Sequence, residues 1–284
     1  MSYNLLKGKK GIIFGALNEQ SIAWKVAQKC YEEGAQIVLT NAPIALRMGE
    51  INKLAEACGN APVIPADVTS NDELKNLLQK SVDHFGGSVD FILHSVGMSM
   101  NMRKNNHYTS LNHDFTHKTF DISAMSLHRL LQLAYQMDAI SEWGSVVALT
   151  YIAAQRVFPD YNEMADAKAL LESITRSFGY QYALKKKVRI NTVSQSPTRT
   201  TAGSGVKGFE GFIRFAEKMS PLGNASAEDC ANYCVTLFSD LTKMVTMQNL
   251  FHDGGFSFTG VTAEVIEQME KEWLWKCRLE DMQM

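Results

Sequence analysis

The sequence predicts a single-domain α/β protein with a doubly wound parallel sheet of about seven strands. Three observations support this prediction. Short runs rich in β-branched residues alternate with longer helical patterns, the strand-like runs are apolar throughout, and no Pro/Ser-rich linker divides the chain. Strands that are buried on both faces and separated by crossover helices form a parallel sheet. A chain of 284 residues is also long enough to bury a sizeable core.

The apolar runs set the order of the strands along the chain. They lie at 11–16, 36–40, 62–67, 89–95, 144–150, 188–194 and 245–253. The intervening segments predict helices near 20–33, 45–57, 71–85, 113–140, 160–185 and 226–239. Helix start signals support several of these assignments, including Asn71 before Asp-Glu and the capping-box pattern that begins at Ser226.

Two regions interrupt the alternation of strands and helices. Residues 195–223 form a long segment rich in Gly, Ser and Thr, and connections of that length inside a domain usually serve as lids or binding loops. We therefore expect a substrate-binding lid there. Residues 261–284 carry apolar side chains at helical spacing, which predicts a C-terminal helical tail that packs on a neighbour.

Composition and charge exclude several classes of function. The formal net charge of −2 gives no reason to expect nucleic acid or an anionic membrane as a partner. The N-terminal apolar run is short and broken by glycine, so neither a signal peptide nor a membrane span is expected. The five cysteines lack zinc-site spacing, which indicates a reducing cytoplasmic setting and no metal site.

The turn after the first strand resembles a phosphate-binding turn. In open α/β sheets, ligands bind outside the carboxyl ends of the strands. Gly15 permits a tight turn, and Ser21 with Ile22 opens a helix whose first N–H groups could hold a pyrophosphate. The glycine-rich GxGxxG pattern is absent. Taken alone, this segment is equally compatible with a plain strand–helix turn.

Three further strand ends strengthen the case for a dinucleotide. Small or polar residues follow the third, fourth and sixth predicted strands, namely Asp67 and Val68, then Ser95, Val96 and Gly97, then Pro197, Thr198 and Thr200. These ends meet at one edge of a parallel sheet, so together they predict a Rossmann-like dinucleotide site. The acidic residue that often binds the adenosine ribose of NAD is missing after Thr40. Arg47 could reach the 2′-phosphate of NADP. NADH is favoured, and NADPH remains an alternative.

Tyr161 and Lys168 lie seven positions apart in a helical segment. That spacing is almost two turns, about 10 Å of rise, and returns to nearly the same face. Asp160 and Glu163 have capping-box-like spacing, which places Tyr161 in the first helical turn. The helix dipole and a nearby ammonium are then expected to lower the pKa of the phenol. Such a phenol can donate a proton to a developing oxyanion.

With these motifs, the chain resembles the short-chain dehydrogenase/reductase superfamily, and within it the enoyl-acyl-carrier-protein reductases. Tyr151, Tyr161 and Lys168 form a Tyr-x9-Tyr-x6-Lys pattern that is similar to the enoyl-reductase one. Ordinary members of the superfamily carry a serine where this chain has Ala148. The other resembling stretches are GALNEQSIAWKVAQ, DVTS, HSVG, VRINTVSQSPTRTTAGSGV and FHDGGFS. A departure is Gln195-Ser196, where many relatives have Ala-Gly.

The resemblance implies a reaction and a role for each matching residue. Hydride would pass from NADH to the β-carbon of a trans-2-enoyl thioester in fatty-acid elongation, and the Tyr161 hydroxyl would stabilise the enolate. Lys168 would hold the nicotinamide ribose, and Tyr151 would line the acyl pocket. The expected cofactor contacts are Gly15, Ser21, Ile22, Asp67, Val68, Ser95, Val96, Gly97, Lys168, Pro197, Thr198 and Thr200. The expected substrate contacts are Met98, Tyr151, Tyr161, Ala202 and Val206.

The resemblance also implies partners. The substrate would arrive on an acyl carrier protein, and the family is usually homotetrameric. Lys207, Arg214 and Lys218 in the predicted lid could face an acidic carrier protein, although Glu210 and Glu217 lie between them and a mixed solvated face is the alternative.

Two rival functions remain open at this stage. The first is a carbonyl (β-ketoacyl) reductase of the same superfamily, which Ala148 and the paired tyrosines disfavour. The second is a non-catalytic nicotinamide-binding redox sensor, which would have no need of the Tyr161/Lys168 pair.

Overall fold

A computed structural model describes residues 2–47, 50–201 and 208–283. Within this part of the chain, six parallel strands form one sheet in the order β2-β1-β3-β4-β5-β6. The strands are β1 (Lys10–Phe14), β2 (Gln36–Thr40), β3 (Val89–His94), β4 (Ile140–Thr150), β5 (Arg189–Gln195) and β6 (Asn249–His252). The predicted doubly wound parallel sheet is confirmed.

The predicted strand at 62–67 is reduced to a single bridge. Val63 pairs with Leu39 beside β2. Main-chain hydrogen bonds run from Leu39 to Pro62, from Ile64 to Leu39 and, just beyond the end of β2, from Ala66 to Asn41. Pro62 and Pro65 bracket this bridge. A proline has no N–H to donate and cannot continue a ladder. The described sheet therefore has six strands where the sequence predicted about seven.

The helices follow the predicted order with different limits. They are α1 (Ile22–Glu32), α2 (Pro43–Leu46), α3 (Glu50–Ala57), α4 (Asn71–Phe85), α5 (Met100–Arg103), α6 (His113–Phe120), α7 (Ser126–Gln136), α8 (Asn162–Lys186), α9 (Phe209–Met219), α10 (Ala227–Phe238) and α11 (Ala263–Gln283). One π-helical turn, Asp121–Met125, joins α6 to α7. The helix predicted over 113–140 stops earlier, because the chain turns at Asp138 with a φ of 52° and enters β4.

Helices cover both faces of the sheet. One core layer buries apolar side chains of α1, α3 and α10, including Val26, Leu54 and Val235. The layer on the opposite face buries those of α4, α7 and α8, including Leu77 and Leu171. The two layers explain why the central strands are apolar on both sides. Among the described helices, none combines the length and apolarity that a membrane span requires.

The strand order places a topological switch point at the centre of the molecule. β1 lies between β2 and β3, so the chain leaves β1 towards one edge of the sheet and later returns to build the other. The loops after β1 and β3 therefore diverge and leave a crevice at the carboxyl edge, where ligands bind in this class of fold. Gly15 and Ser95 are the first residues of these two loops.

Candidate active site

A cleft of about 440 Å³ opens at this carboxyl edge. It brings together most of the side chains that the sequence singled out. They are Gly15, Ser21, Ile22, Ser95, Val96, Gly97, Met98, Tyr151, Tyr161, Lys168, Pro197, Thr198 and Thr200. The convergence arises because β1, β3, β4 and β5 all run in one direction and end at the same edge.

Four predicted site residues are not placed in the cleft wall. Asp67 turns back on its own loop, where its Oδ1 accepts hydrogen bonds from the N–H and hydroxyl of Thr69 at 2.9 and 2.7 Å. Val68 packs against the apolar core. Neither residue lines the cleft, so their predicted contacts with the cofactor stay predictions. Ala202 and Val206 lie outside the described residues.

The turn after β1 needs a glycine at its first position. Gly15 has a φ of +92°, and a Cβ there would lie 1.9 Å from the carbonyl oxygen of Ser95. The positive φ and the close main-chain approach both exclude a side chain. The ends of β1 and β3 can therefore meet at the floor of the cleft.

Ser21 organises this turn through its hydroxyl. Its Oγ accepts from the N–H groups of Leu17 and Asn18, both at 3.1 Å, and donates to the carbonyl of Asn18. Helix α1 then starts without a side-chain cap and without an acidic residue in its first turn. A helix start of this kind leaves N–H groups and the positive dipole end available to an anion. The arrangement fits the pyrophosphate of a dinucleotide.

Lys168 lies in the interior beside this floor. Its ammonium donates a 2.8 Å hydrogen bond to the main-chain oxygen of Leu149 at the end of β4. Both Lys168 and Gly97 line the cleft, and a Cβ added to Gly97 would lie 3.8 Å from Nζ, in van der Waals contact with the ammonium. Burial lowers the pKa of Lys168 to about 8, and the charge of Glu172 opposes that shift.

Glu172 is a buried carboxylate one turn further along α8. It accepts from the Thr150 hydroxyl at 3.0 Å and from the Gln155 amide at 3.1 Å. Burial raises the pKa of this carboxyl, and these two hydrogen bonds oppose the rise. The charge of this carboxylate favours the protonated form of Lys168, an influence that the sequence patterns did not reveal.

Tyr161 immediately precedes α8, and its ring centroid lies 5.2 Å from that of Tyr151 at an angle of 50°. Burial raises the pKa of both phenols above their ordinary value. The prediction that the dipole and Lys168 would lower the pKa of Tyr161 is therefore wrong. Tyr161 lies before the first helical residue and packs beside Met102 and Met164, so loss of hydration dominates. A phenol in this state remains protonated and can donate a hydrogen bond.

The predicted capping pair Asp160 and Glu163 does not form. No side chain caps α8, and Glu163 is fully buried. Its Oε1 accepts from Ser99 at 2.6 Å, from Thr119 at 2.9 Å and from Asn101 at 3.2 Å. Glu163 thereby ties the start of α8 to α5, the short helix that forms one wall of the cleft.

The position of Glu163 on its helix is a signal that sequence reasoning missed and could have used. Glu163 precedes the buried Ala167 by four residues, so it lies on the buried face of α8. A carboxylate on such a face requires donors from elsewhere in the chain. Its partners are hydroxyl and amide groups that lie at least 44 residues away in sequence.

Gln195 and Ser196, which replace the Ala-Gly of many relatives, both line the cleft. Gln195 donates to the carbonyl of Ala225 at 3.0 Å, and its Oε1 lies 2.7 Å from Nδ1 of His252. The Ser196 hydroxyl accepts from the N–H of Ala225 at 3.0 Å. These side chains join the ends of β5 and β6 to the loop before α10. They therefore fix the main-chain position of that loop at the edge of the cleft.

Comparisons with known proteins identify relatives over most of this chain. A family model described as "Enoyl-(Acyl carrier protein) reductase" matches residues 15–257. The chain is 33% identical over 270 residues to the NADH-dependent enoyl-[acyl-carrier-protein] reductase FabI of Aquifex aeolicus, covering 94% of this chain and 98% of the relative.

Solved structures agree with the sequence match. The FabI–NADH complex from Alistipes finegoldii has a TM-score of 0.90 and 65% identity, with 92% of each chain covered. The enoyl-acyl carrier protein reductase of Bacillus cereus, solved with NADP+ and indole naphthyridinone, has a TM-score of 0.85 and 29% identity, covering 92% of this chain and all of that one. The resemblance drawn from the sequence is thus confirmed, and the chain belongs to the enoyl-acyl-carrier-protein reductase family.

Proposed function

We propose that the protein reduces trans-2-enoyl thioesters with NADH, in the elongation cycle of fatty-acid biosynthesis. The observation that carries this proposal is the meeting of Tyr151, Tyr161 and Lys168 in one cleft at the switch point of the sheet. Family membership supports the same chemistry. When bound, the nicotinamide cofactor supplies a hydride to the β-carbon of the substrate.

The residues of this chain would hold the cofactor along the carboxyl edge. The uncapped start of α1 suits the pyrophosphate, because its free N–H groups and dipole favour an anion. Gly97 leaves space beside the ammonium of Lys168, which can donate to ribose hydroxyls. Pro197 and Thr198 line the end of the cleft beside β5, where a carboxamide finds main-chain partners. Family membership favours NADH, and NADPH is the alternative.

Tyr161 acts on the thioester oxygen. When the β-carbon accepts hydride, negative charge develops on that oxygen and an enolate forms. A phenol that stays protonated at neutral pH donates a hydrogen bond to this oxygen and lowers the barrier. The α-carbon is protonated afterwards. Tyr151, with its ring against that of Tyr161, lines the acyl side, where Met98 also lies.

The rival carbonyl reductase is disfavoured by the strand that precedes Tyr151. Ala148 is fully buried in β4, so no hydroxyl is available at the position where ordinary members of the superfamily carry their serine. The redox-sensor alternative gives no role to a protonated phenol beside a buried ammonium.

One assay separates the three functions. Purified protein is mixed with NADH or NADPH and with crotonyl-CoA or a β-ketoacyl thioester, and the loss of reduced-cofactor absorbance is followed. Enoyl-dependent oxidation supports the proposal. Oxidation that depends on the ketoacyl substrate supports the carbonyl reductase, and cofactor binding without turnover supports the sensor. The rate ratio for the two cofactors settles the preference for NADH.

The physiological substrate donor would be an acyl carrier protein in the cytoplasm, and the active form a homotetramer. Of the lid cations, Lys218 pairs with Glu264 at 3.2 Å, and Lys207 lies outside the described residues. Arg214 is exposed on α9 and is the better candidate to face an acidic carrier protein. Arg214→Glu should raise KM for a carrier-bound substrate and leave KM for a CoA thioester unchanged. Equal effects on both substrates would contradict this docking site, and light scattering tests the tetramer.

A further inference from the structure

Two polar side chains at the end of β5 have no role in the proposed chemistry. Gln195 and Ser196 stand where many relatives have Ala-Gly, and both are almost completely buried, with 4% and 3% of their surfaces exposed. A buried amide or hydroxyl lowers stability unless its polar atoms are hydrogen-bonded. The partners of these two side chains therefore indicate what the residues do.

The Gln195 amide joins β5 to two other segments. Its Nε2 donates to the carbonyls of Ala225 and Ser226 at 3.0 and 3.3 Å, at the start of α10. This contact fixes the orientation of the amide, because the opposite orientation would set its oxygen against two carbonyl oxygens. Oε1 then faces Nδ1 of His252 at 2.7 Å. Since Oε1 can only accept, Nδ1 carries the proton and donates it to this hydrogen bond.

The ring of His252 is oriented for this contact by its neighbours. His252 ends β6, and its ring stacks on that of Tyr233 in α10, with centroids 4.9 Å apart and an interplanar angle of 12°. Burial lowers the pKa of His252, and the charges of Asp229 and Asp253 oppose that shift. The imidazole is therefore neutral at neutral pH, and its single N–H is the one that donates to Gln195.

The main chain after Gln195 is fixed by further contacts on both sides. The Ser196 N–H donates to the carbonyl of His252 at 3.1 Å, and the Ser196 hydroxyl accepts from a main-chain N–H of the loop before α10 at 3.0 Å. The Thr198 hydroxyl donates to the Ser196 carbonyl at 2.9 Å. Pro197 has no N–H to donate, so its position depends on these neighbours. An Ala-Gly pair has no side-chain polar atoms that could form the contacts of Gln195 and Ser196.

We infer that Gln195 is a positioning residue for the nicotinamide end of the cofactor. Ser196, Pro197 and Thr198 line the cleft beside β5, so the contacts that fix their main chain also fix the groups offered to the carboxamide. Gln195 acts through that main chain, and His252 is the donor that holds its amide. The inference rests on the proposed carboxamide site and adds the residues that determine the geometry of that site.

Paired binding measurements test this inference. Isothermal titration calorimetry gives the Kd of NADH and of ADP-ribose, which has the same adenosine, pyrophosphate and second ribose but no nicotinamide. The unmodified protein is compared with Gln195→Met, which keeps the length of the side chain and loses both hydrogen-bonding atoms. We expect Gln195→Met to raise the Kd of NADH by about fivefold, the factor that one lost neutral hydrogen bond gives. The Kd of ADP-ribose should stay unchanged.

A second variant tests the contribution of His252. His252→Phe keeps an aromatic ring on Tyr233 and removes the donor to Gln195. It should also raise the Kd of NADH relative to that of ADP-ribose. The double variant with Gln195→Met should bind NADH no more weakly than Gln195→Met alone, because both substitutions remove one shared contact and their effects are not additive.

Asn191→Leu is the matched control. Asn191 lies earlier on the same strand and is fully buried. Its amide is also bonded on both atoms, since Nδ2 donates to the carbonyl of Val245 at 2.8 Å and Oδ1 accepts from the N–H of Gln248 at 3.1 Å. Asn191 does not line the cleft. The control should lower the melting temperature and leave the ratio of the two Kd values unchanged.

Three outcomes would overturn the inference. The first is an unchanged Kd ratio in a folded Gln195→Met protein. The second is an equal increase of the Kd for NADH and ADP-ribose, which would show a general effect on the fold. The third is an unmodified protein that binds ADP-ribose as tightly as NADH. If Gln195→Met does not fold, His252→Phe decides the question by the same criteria. A protein that binds NADH but does not oxidise it with crotonyl-CoA would contradict the proposed function and leave the binding comparison intact, so the two failures are distinguishable.

Discussion

The rings of Tyr151 and Tyr161 contact one another across the cleft, with centroids 5.2 Å apart. Their neighbourhood raises the pKa of both phenols, so both hydroxyls keep their protons at neutral pH. Two protonated phenols are hydrogen-bond donors, and they are not nucleophiles or bases under these conditions. The reaction that such a pair assists is one in which an oxygen gains negative charge.

Removal of the Tyr161 hydroxyl should slow the chemical step. We expect Tyr161→Phe to lower kcat by about 10² to 10³, the typical loss when one donor to an oxyanion is removed. The Kd for NADH, followed by nicotinamide fluorescence, should stay the same, because Tyr161 is assigned to the substrate oxygen. Tyr151→Phe is the comparison variant and should have a smaller effect on kcat. An equal loss in both variants would argue against a unique role for Tyr161.

The charge on Lys168 predicts an alkaline limit for cofactor binding. With a pKa of about 8, the ammonium is protonated below that pH and loses its proton as the pH rises through it. The Kd for NADH should therefore increase above about pH 8. Lys168→Met should bind NADH weakly at all pH values and lose the pH dependence.

Glu172 should influence the pH at which NADH binding weakens. The charge of Glu172 favours protonated Lys168, while His94, the other titratable group near the ammonium, is buried with its pKa lowered to about 3 and stays neutral. Glu172→Gln keeps polar atoms for Thr150 and Gln155 but removes the charge, so the pKa of Lys168 should fall. The limit measured by NADH titration should move to lower pH. An unchanged limit would show that Glu172 has no electrostatic effect on Lys168.

Glu163 should hold in place the cleft wall that α5 forms. Glu163→Ala removes the acceptor that Ser99, Asn101 and Thr119 share. Asn101 and Thr119 keep the carbonyls of Asn112 and Phe115 as acceptors, whereas the buried Ser99 hydroxyl loses its acceptor, at a cost of about 1–3 kcal/mol. We expect a lower melting temperature and a raised KM for the enoyl substrate, with a smaller change in kcat. Glu163→Gln retains an acceptor oxygen and should restore most of both quantities. Glu56→Ala, on the exposed face of α3, is the control and should change neither quantity.

Gly15 should tolerate no side chain. In Gly15→Ala the new methyl would collide with the Ser95 carbonyl at 1.9 Å, so the ends of β1 and β3 must separate and NADH binding should be lost. Gly8→Ala is a matched control, because Gly8 also has a positive φ of +77° but open space around it. The control should show only the conformational cost of about 1–2 kcal/mol, measured by urea unfolding. Comparable losses in the two variants would mean that the contact with Ser95 is unimportant.

The sheet and the position of the cleft were predictable from sequence for one physical reason. In a parallel sheet the carboxyl ends of all strands meet at one edge. Residues that follow strands, such as Gly15, Ser95 and Pro197, are therefore brought together whatever the details of packing. The same argument failed for Asp67, because the segment before it forms only a bridge and its carboxylate is satisfied within its own turn.

Features that depend on contacts between distant segments were not predictable. The pKa of Tyr161 depends on side chains from α5 and α8 that enclose it, and local rules about helix dipoles gave the wrong direction. The role of Glu163 depends on donors from α5 and α6. A single sequence contains no periodic signal for either of these arrangements.

The acceptor that holds Lys168 is the main-chain oxygen of Leu149, and that choice has a consequence for mutational tolerance. Every amino acid supplies the same carbonyl oxygen, so replacement of the leucine side chain does not delete the anchor. The position of the ammonium therefore does not depend on which side chain occupies position 149 of β4. Substitutions in the cleft walls can change which acyl chains fit, while the ammonium stays hydrogen-bonded to this main-chain oxygen.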